Sequence, residues 1–419
     1  MVAASWNTSY VFGYDDQWGG RYFFTYFSEF SPPNDRHYLL EIVLLVITFI
    51  FSIMANISII ICVTRNPEMK TVTNCFVLNL AISDVLFAFT IPVVAYTRFT
   101  RSWVFGKITC KLVPYLQFVS AMVLLWTLTF ISIDRHHCIV VPPYRSNMSR
   151  LQAVGTSLLI WLIFSGLTIP VALWFKEITL EEDLMICTLV FPKSRYLIYS
   201  TMFIIIVALL ACLLPMVLLV YYYHQIFRKI LSTKNAWSTS CVEIKSCRTQ
   251  TRRQSELSFT DILVPWSRRF SAQLSIPNSS RQGSLSTQEE IRLNKHLRAV
   301  RVLFLNVLVV LVMWLPITLM MVLIHIDGRR SNEDKGYFLR SHHFVAALSV
   351  AFINTVINPL LYGLLSDNFR NGLMKIWCIR HERVQLGDLT TPSSGRTAKM
   401  KRPSASFSER SEKFGLGLI

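Results

Sequence analysis

The chain has 419 residues, of which 52% are hydrophobic, and its formal net charge at neutral pH is +17. A charge of this size raises the question of a nucleic-acid partner, but the basic segments contain few aromatic side chains that could stack on bases, so we expect none. The nine cysteines fit neither a disulfide scaffold nor a metal cluster in a chain of this length, and no cofactor is expected.

Apolar runs recur along the chain, and each is long enough to cross a hydrocarbon core of about 30 Å. They lie at roughly 39–63, 75–97, 111–133, 152–174, 197–223, 300–326 and 343–364. The sequence therefore predicts an all-α membrane protein, a bundle of seven spanning helices. The first run follows a polar and aromatic segment, so we expect it to act as an insertion signal without cleavage.

Basic residues mark the cytoplasmic side. Residues 226–301 contain 14 Lys and Arg against 5 Asp and Glu, and the tail from 366 contains 10 against 5, whereas residues 1–38 contain 2 against 4. By the positive-inside rule, the amino terminus lies outside and the carboxyl terminus inside.

The polar segments between and beyond the runs complete a predicted domain plan. We expect an extracellular amino terminus (1–38), a transmembrane domain (39–365) with a disordered cytoplasmic loop at about 231–291, and a disordered tail (379–419). Between domain and tail, residues 366–378 place apolar side chains with the spacing of a short amphipathic helix on the membrane surface, and Cys378 is a candidate for palmitoylation.

Two cysteines and one sequon are notable for their position on the predicted outside. Cys110 begins the third run and Cys187 lies in the loop before the fifth, so a disulfide between them could form and persist. The alternative is two free thiols. Asn7, in Asn7-Thr8-Ser9, is a candidate for glycosylation.

Charged residues end the third run. Asp134 and Arg135 follow it in "TLTFISIDRHHCIV", 25 residues after Cys110, which is on the order of 37 Å along a helix. They are therefore predicted at the cytoplasmic end.

The order of motifs resembles that of rhodopsin-like G-protein-coupled receptors over roughly residues 38–378. The chain has "DRH" where the family usually has DRY, and "MWLP" where it usually has CWxP. The remaining matches are Asn56, Asp84 in "LNLAISD", Trp103 and Cys110 in "WVFGKITC", Trp161, Cys187, Pro215, Tyr223 and "NPLLY" ending at Tyr362.

The resemblance implies a buried polar core. Asp84 falls near the bilayer middle, where an ionisable side chain is expensive and is usually functional. Its expected partners are Asn56, Asn354 and Asn358, and the family often holds sodium there. Leu124 replaces a common serine ligand, so a purely structural hydrogen-bonded cluster is the alternative.

The resemblance also implies an activation switch. Pro215, Pro316 and Pro359 each remove a backbone donor and favour a kink. Trp314 would lie beneath the ligand, and Tyr223 and Tyr362 would support the active form. Asn358 and Pro359 of the seventh span would belong to the same switch. Asp134 would hold Arg135 at rest, and when the sixth span moves outward, Arg135 would be free to reach a heterotrimeric G protein. His296 stands near the position of a glutamate that locks the arginine in some members, so basal activity is expected.

Further partners follow from the cytoplasmic segments. Ser255 and Ser271 each follow paired arginines, which basophilic kinases prefer, and the tail is rich in Ser and Thr, so receptor kinases and arrestin are expected partners. The implied location is the plasma membrane.

Other functional classes fit less well. No phosphate loop, metal-spaced cluster or nucleophile set indicates an enzyme, and the seventh run has no lysine for a retinal Schiff base. A transporter is the rival membrane class, but its internal repeats are not evident.

Two ligand classes remain open. Strings such as "ICTLVFP" resemble those of the receptor for long-chain free fatty acids, in which the position of Arg98 binds a carboxylate, and Trp103, Phe118, Trp174 and Phe191 could line an apolar tunnel. Gln117 replaces the aspartate of monoamine receptors and is common in neuropeptide receptors. A neuropeptide is therefore the alternative to a lipid carboxylate.

Overall fold

A computed structural model describes residues 2–4, 9–13, 22–29, 35–142, 146–180, 184–192, 198–245, 283–328, 339–365, 369–372 and 374. Side chains are described over somewhat narrower stretches of these ranges. The chain divides into two units, Met1–Met374 and Lys375–Ile419, and the second lies outside the described residues.

The described part is mainly helical. In chain order the helices are α1 (Asp35–Arg65), α2 (Val72–Ala88), α3 (Ile91–Thr100), α4 (Gly106–Ile139), α5 (Arg150–Leu167), α6 (Ile169–Trp174), α7 (Tyr199–Val207), α8 (Leu214–Lys245), α9 (Gly283–Asp327) and α10 (Ser341–Leu365), with a 3₁₀ turn at Pro67–Met69.

These helices form seven apolar spans, each long enough to cross a membrane. The spans are Tyr38–Arg65, Val72–Thr100, Gly106–Ile139, Arg150–Trp174, Tyr199–Ile230, Phe304–Asp327 and Ser341–Leu361, and we call them the first to the seventh span. The seven-helix bundle predicted from the apolar runs is thus confirmed.

The third span lies at the centre and is held to the second and fourth by polar side chains. Asn79 Nδ2 donates to Thr127 Oγ1 at 2.8 Å, and Trp161 Nε1 donates to Asn79 Oδ1 at 2.8 Å. Asn79 and Thr127 are buried, where an unpaired amide or hydroxyl would be costly, so each pairing fixes a helix contact.

The fifth span contains a π-helical turn at Ala208–Leu213, directly before Pro215. Leu214 N donates five residues back, to the carbonyl of Leu209. In the same register the carbonyl of Leu210 would accept from residue 215, which is a proline without an N–H. Trp126 Nε1 of the third span donates to that carbonyl at 2.9 Å instead.

A β-hairpin lies between the fourth and fifth spans. Strands β4 (Phe175–Thr179) and β5 (Met185–Leu189) pair antiparallel. A disulfide joins Cys187 of β5 to Cys110 at the start of the third span, with an S–S distance of 1.94 Å and a Cα–Cα distance of 5.6 Å. The hairpin is therefore fixed to the bundle.

The amino-terminal segment packs on this hairpin and on the seventh span. Strands β1 (Val2–Ala4), β2 (Tyr10–Gly13) and β3 (Tyr22–Phe24) form an antiparallel sheet, and Thr25 bridges to Thr188 of β5. The aromatic side chains Tyr10, Phe24, Tyr26 and Phe27 are all buried. Burial of these rings stabilises the packing of the amino-terminal segment on the bundle. From the sequence we expected only that this segment is extracellular.

The helices of the fifth and sixth spans continue beyond the length needed to cross a membrane. α8 runs to Lys245 and α9 begins at Gly283, so both ends of the loop that we expected to be disordered are helical. Residues 214–245 contain one proline, at the start, and no glycine, and nothing there interrupts a helix. Residues 246–282, with Ser255 and Ser271, lie outside the described residues.

A short helical stretch at 369–372 follows the seventh span. Phe369 is buried, and Gly372 packs so closely on the first span that a Cβ there would lie 2.8 Å from Cys62 Sγ and 3.0 Å from Met69 Sδ. The rest of the expected surface helix, including Cys378, lies largely outside the described residues.

Candidate functional site

An apolar cavity opens inside the outer half of the bundle. Its empty volume, counted up to the open mouth, is about 1030 Å³. It is lined by Phe87, Pro114, Gln117, Phe118, Ala121, Met122, Leu125, Ile204, Val207, Ala208, Met216, Leu311, Trp314, Ile317, Thr318, Met321, Val322, Phe344 and Leu348 of the second, third, fifth, sixth and seventh spans, and by Tyr26, Phe27 and Phe175.

The roof of the cavity consists of aromatic rings from outside the spans. Tyr26 and Phe27 come from the amino-terminal segment, and Phe175 begins β4. Tyr26 lies edge-on to Phe344 of the seventh span, with ring centroids 4.9 Å apart. Sequence reasoning missed these roof residues, although the aromatic run "RYFFTYFSEF" at residues 21–30 was a visible signal.

The floor of the cavity includes Trp314. Its ring lies 5.4 Å from that of Phe87, which packs in turn on Phe352 at 4.7 Å. Trp314 Nε1 is buried and has no hydrogen-bond partner among the described residues. Trp314 stands two residues before Pro316 on the sixth span, so a molecule that presses on it acts beside the predicted kink.

Gln117 and Phe118 lie on the third-span wall of the cavity. Gln117 Nε2 donates to Thr90 Oγ1 at 3.2 Å, so its amide is partly committed to the second span. Phe118 contacts Phe203, with centroids 5.7 Å apart. The described residues of the wall include no acidic or basic side chain.

Arg98 does not line this cavity. Its Nη2 lies 3.1 Å from Glu41 Oε2, the side chain of Arg98 is 4% exposed, and that of Glu41 is 16% exposed. Arg98 Nη1 also donates to the carbonyl of Phe27 at 3.5 Å. The sequence expectation of an arginine open to a ligand carboxylate overlooked Glu41, whose carboxylate already neutralises it.

Three of the aromatic residues expected to line a tunnel lie outside the cavity wall. Trp103 is fully buried, stacks on Phe27 and donates from Nε1 to the carbonyl of Gly106. Trp174 and Phe191 contact each other, at 5.5 Å, and both contact Phe203. Trp174 and Phe191 therefore reach the cavity only through Phe203, which contacts Phe118 of the wall.

The four residues of the predicted polar core differ in their contacts. Asn358 Nδ2 donates to Asp84 Oδ2 at 3.1 Å. Asn56 Nδ2 donates instead to the backbone carbonyl of Thr355 at 2.9 Å, and buried Asn354 has no side-chain partner among the described residues.

The same core fits the sodium ion that the family resemblance implies. Asp84 Oδ1, Asn358 Oδ1 and Ser120 Oγ are buried oxygens without a hydrogen-bond partner in the described part of the chain. Oxygen ligands of this kind suit a hard cation. Ser120 lies one helical turn before Leu124, and its hydroxyl can replace the missing serine.

Several polar side chains contact Asp134, one of the two residues expected to form a cytoplasmic switch. Its Oδ2 lies 2.6 Å from Arg135 Nη2 and accepts from Thr73 Oγ1 at 3.1 Å, while its Oδ1 accepts from Ser146 Oγ at 2.6 Å. Arg135 also contacts Thr73. Sequence reasoning found the ion pair but missed the two hydroxyls, which come from different loops and helices.

The remaining expected switch residues are spread along the inner halves of the spans. Tyr223 is buried and packs on Phe304, with centroids 5.5 Å apart. Pro316 and Pro359 lie inside their helices. The side chain of Tyr362, and residue Asn7, lie outside the described residues.

No group of three or more His, Cys, Asp or Glu that could hold a metal ion occurs among the described residues. One bundle thus contains an apolar cavity near one end and a buried ion pair, Arg135 with Asp134, near the other.

Comparisons with known proteins agree with this arrangement. A model of the seven-transmembrane receptors of the rhodopsin family matches residues 55–362. Over 404 residues the chain is 27% identical to somatostatin receptor type 5 of Bos taurus, which covers 95% of this chain and 92% of that receptor. Over 394 residues it is 23% identical to the QRFP-like peptide receptor of Branchiostoma floridae, covering 90% of this chain and 88% of that one.

The match takes in most of the chain and every one of its spans except the start of the first. A receptor of this class responds to an extracellular ligand and couples to G proteins, and it is not an enzyme. The chain is a multi-pass membrane protein that belongs to the rhodopsin family of seven-transmembrane receptors.

Proposed function

We propose that the chain is a plasma-membrane receptor, with its amino terminus outside, that binds a lipid-type ligand in the apolar cavity and activates a heterotrimeric G protein. The observation that carries this proposal is the character of the cavity. Among the described residues, the wall is apolar apart from the side-chain amide of Gln117, the hydroxyl of Thr318 and the indole N–H of Trp314, and the rings of Tyr26, Phe27 and Phe175 cover it.

Such a cavity favours an elongated apolar molecule. Burying apolar surface contributes about 25 cal/mol per Å² before the entropic costs of association. A peptide would bring backbone N–H and C=O groups into the same space, where each unpaired group is costly. A lipid chain carries no such groups over most of its length.

The signal then passes along the bundle. A ligand on the floor contacts Trp314, next to the Pro316 kink of the sixth span, and the cytoplasmic end of that span can move while its middle stays packed. Movement there makes room for Arg135 to leave Asp134 and contact the G protein. Receptor kinases and arrestin would act afterwards on the loop and tail serines.

A neuropeptide is the second candidate. The two relatives named above are, by name, a somatostatin receptor and a QRFP-like peptide receptor. Gln117 also lines the cavity. Residues 181–183, Glu-Glu-Asp in sequence, could meet a basic peptide and lie outside the described residues.

A nucleotide-exchange screen distinguishes the two. Purified receptor is reconstituted with a G protein and exposed to a panel of long-chain lipids and to a neuropeptide library. We expect lipids to stimulate exchange and Ala121→Phe, which fills the cavity, to abolish the response. Leu112→Phe, on the exposed face of the same helix, is the matched control and should respond normally. Activation by peptides alone would contradict the proposal.

A further inference from the structure

Two uncharged polar groups on the cavity wall have hydrogen-bonding capacity that the described part of the chain does not use. Gln117 Nε2 donates to Thr90 Oγ1 at 3.2 Å, which uses one N–H of the amide and leaves the carbonyl oxygen Oε1 for another partner. Trp314 Nε1 is buried and has no hydrogen-bond partner among the described residues. The hydroxyl of Thr318, by contrast, is already paired, because it donates to the backbone carbonyl of Trp314 at 2.9 Å.

The amide and the indole are supported by one short stretch of the second span, residues 87–90. The ring of Trp314 lies 5.4 Å from that of Phe87, and Gln117 donates to Thr90, three residues further along. Thr90 Oγ1 donates in turn to the carbonyl of Phe87 at 2.7 Å, so its hydrogen goes to the backbone and its oxygen accepts from Gln117. We call Gln117 and Trp314 the polar pair of the cavity floor.

No charge on the described wall matches a charged head group. The described residues that line the cavity include no acidic or basic side chain, and Arg98, which lies outside the wall, is paired with Glu41 at 3.1 Å. An ionised carboxylate moved into such apolar surroundings loses its hydration without gaining a cation, which is strongly unfavourable. A neutral polar group needs only hydrogen bonds there. The cavity therefore selects an uncharged molecule.

We infer that the ligand is a neutral lipid whose polar end carries both a hydrogen-bond acceptor and a donor, as a primary amide or an alcohol does, and that this end lies on the polar pair. The inference rests on the proposed function. The ligand oxygen accepts from Trp314 Nε1, and a ligand N–H or O–H donates to Gln117 Oε1. Because Nε1 is buried, the indole ring must turn toward the cavity to meet that oxygen, and this movement occurs beside Pro316. A fatty acid fits the same site in its protonated form.

The first test compares hexadecanamide with N,N-dimethylhexadecanamide, which keeps the carbonyl acceptor and lacks both N–H donors. Binding of the tritiated probes is measured on full-length receptor in nanodiscs and expressed per probe dissolved in the nanodisc lipid. The primary amide should bind roughly fivefold more tightly, which corresponds to about 1 kcal/mol and is typical of one hydrogen bond. Gln117→Leu should remove this difference, because it removes the oxygen that the N–H groups reach.

The second test concerns the acceptor. Trp314→Phe keeps an aromatic ring and removes the N–H, so it should weaken both amides by roughly fivefold relative to hexadecane, which has no polar atom. Trp174→Phe is the matched control and should leave this ratio unchanged, because Trp174 is an indole that does not line the cavity. Each variant is judged by the ratio of two probes, so a partial loss of folded receptor does not imitate the effect.

Hexadecanoic acid tests the exclusion of charge. Relative to hexadecanamide at the same pH, the acid should bind more weakly as the pH rises, because only its protonated form is neutral. Probe ratios that Gln117→Leu and Trp314→Phe leave unchanged, or an acid that binds more tightly when ionised, would overturn the neutral head group and leave the lipid ligand standing. Failure of all four probes to bind the wild type would contradict the proposed function itself.

Discussion

Arg98 and Glu41 form an ion pair between the outer ends of the second and first spans, with 3.1 Å between Nη2 and Oε2. Both side chains are largely buried, and Arg98 also reaches the carbonyl of Phe27 in the roof. Removing one partner would leave the other charge buried and unpaired. The pair therefore supports the roof of the cavity and joins two spans.

Arg98→Ala should lower the free energy of unfolding and the surface level of the receptor. Breaking a fully buried ion pair costs about 3 to 5 kcal/mol, and the cost is smaller here because Glu41 retains some exposure. The double variant Arg98→Ala with Glu41→Ala should recover part of the loss, because no unpaired charge remains. Thermal unfolding of the purified variants measures both effects. A stable Arg98→Ala receptor that has lost only its response to acids would show instead that Arg98 binds the ligand directly.

Trp126→Phe should destabilise the receptor by about 1 to 3 kcal/mol, because the carbonyl of Leu210 is left without a donor. Pro215→Ala restores a backbone N–H at the position that the π-helical turn lacks. A double-mutant cycle on thermal stability should therefore show that Trp126→Phe costs less in the Pro215→Ala background. Fully additive losses would mean that the two residues act independently.

Arg135→Ala should leave ligand binding and surface expression intact and abolish nucleotide exchange, because in the proposed mechanism the arginine is the group that contacts the G protein. Ser146→Ala should raise basal exchange, because Asp134 loses a hydroxyl donor at 2.6 Å and holds Arg135 less firmly. Ser149→Ala is the control from the same loop, since Ser149 caps the fourth span with Gln152 and does not contact Asp134. Equal basal exchange in the two serine variants would remove Ser146 from the switch.

Gly372→Ala should destabilise the contact between the short helix at 369–372 and the first span. The added methyl group would lie 2.8 Å from Cys62 Sγ, which is closer than Cβ atoms approach. Cys62→Ala removes that sulfur and should suppress the defect when the two are combined. The thermal unfolding midpoint is the measurement, and a Gly372→Ala receptor as stable as the wild type would contradict this packing.

The seven-helix bundle could be predicted from the sequence because each spanning helix forms its backbone hydrogen bonds internally. Each helix therefore appears in the sequence as one continuous run of apolar residues. Asp134 and Arg135 were likewise found because they interrupt such a run. The hydroxyls of Thr73 and Ser146 were not, since each meets Asp134 from another part of the chain.

The roof of the cavity could not be predicted from the sequence. Tyr26 and Phe27 carry no periodic pattern, and their burial depends on contacts with Phe175 and Phe344, which are about 150 and 317 positions further along the chain. Arg98 was predicted to bind a ligand carboxylate, but no local pattern indicates that Glu41, 57 positions away, neutralises it.

Photo-crosslinking tests the central claim, that a lipid-type ligand occupies the cavity, most directly. A long-chain fatty acid with a diazirine near the end of its chain is bound to the purified receptor, irradiated, and the labelled residues are mapped by mass spectrometry. We expect labels on residues of the cavity wall, such as Met122, Trp314 and Met321, and we expect excess unlabelled fatty acid to remove them. Labels confined to the exposed outer faces of the spans, unaffected by competition, would contradict the account.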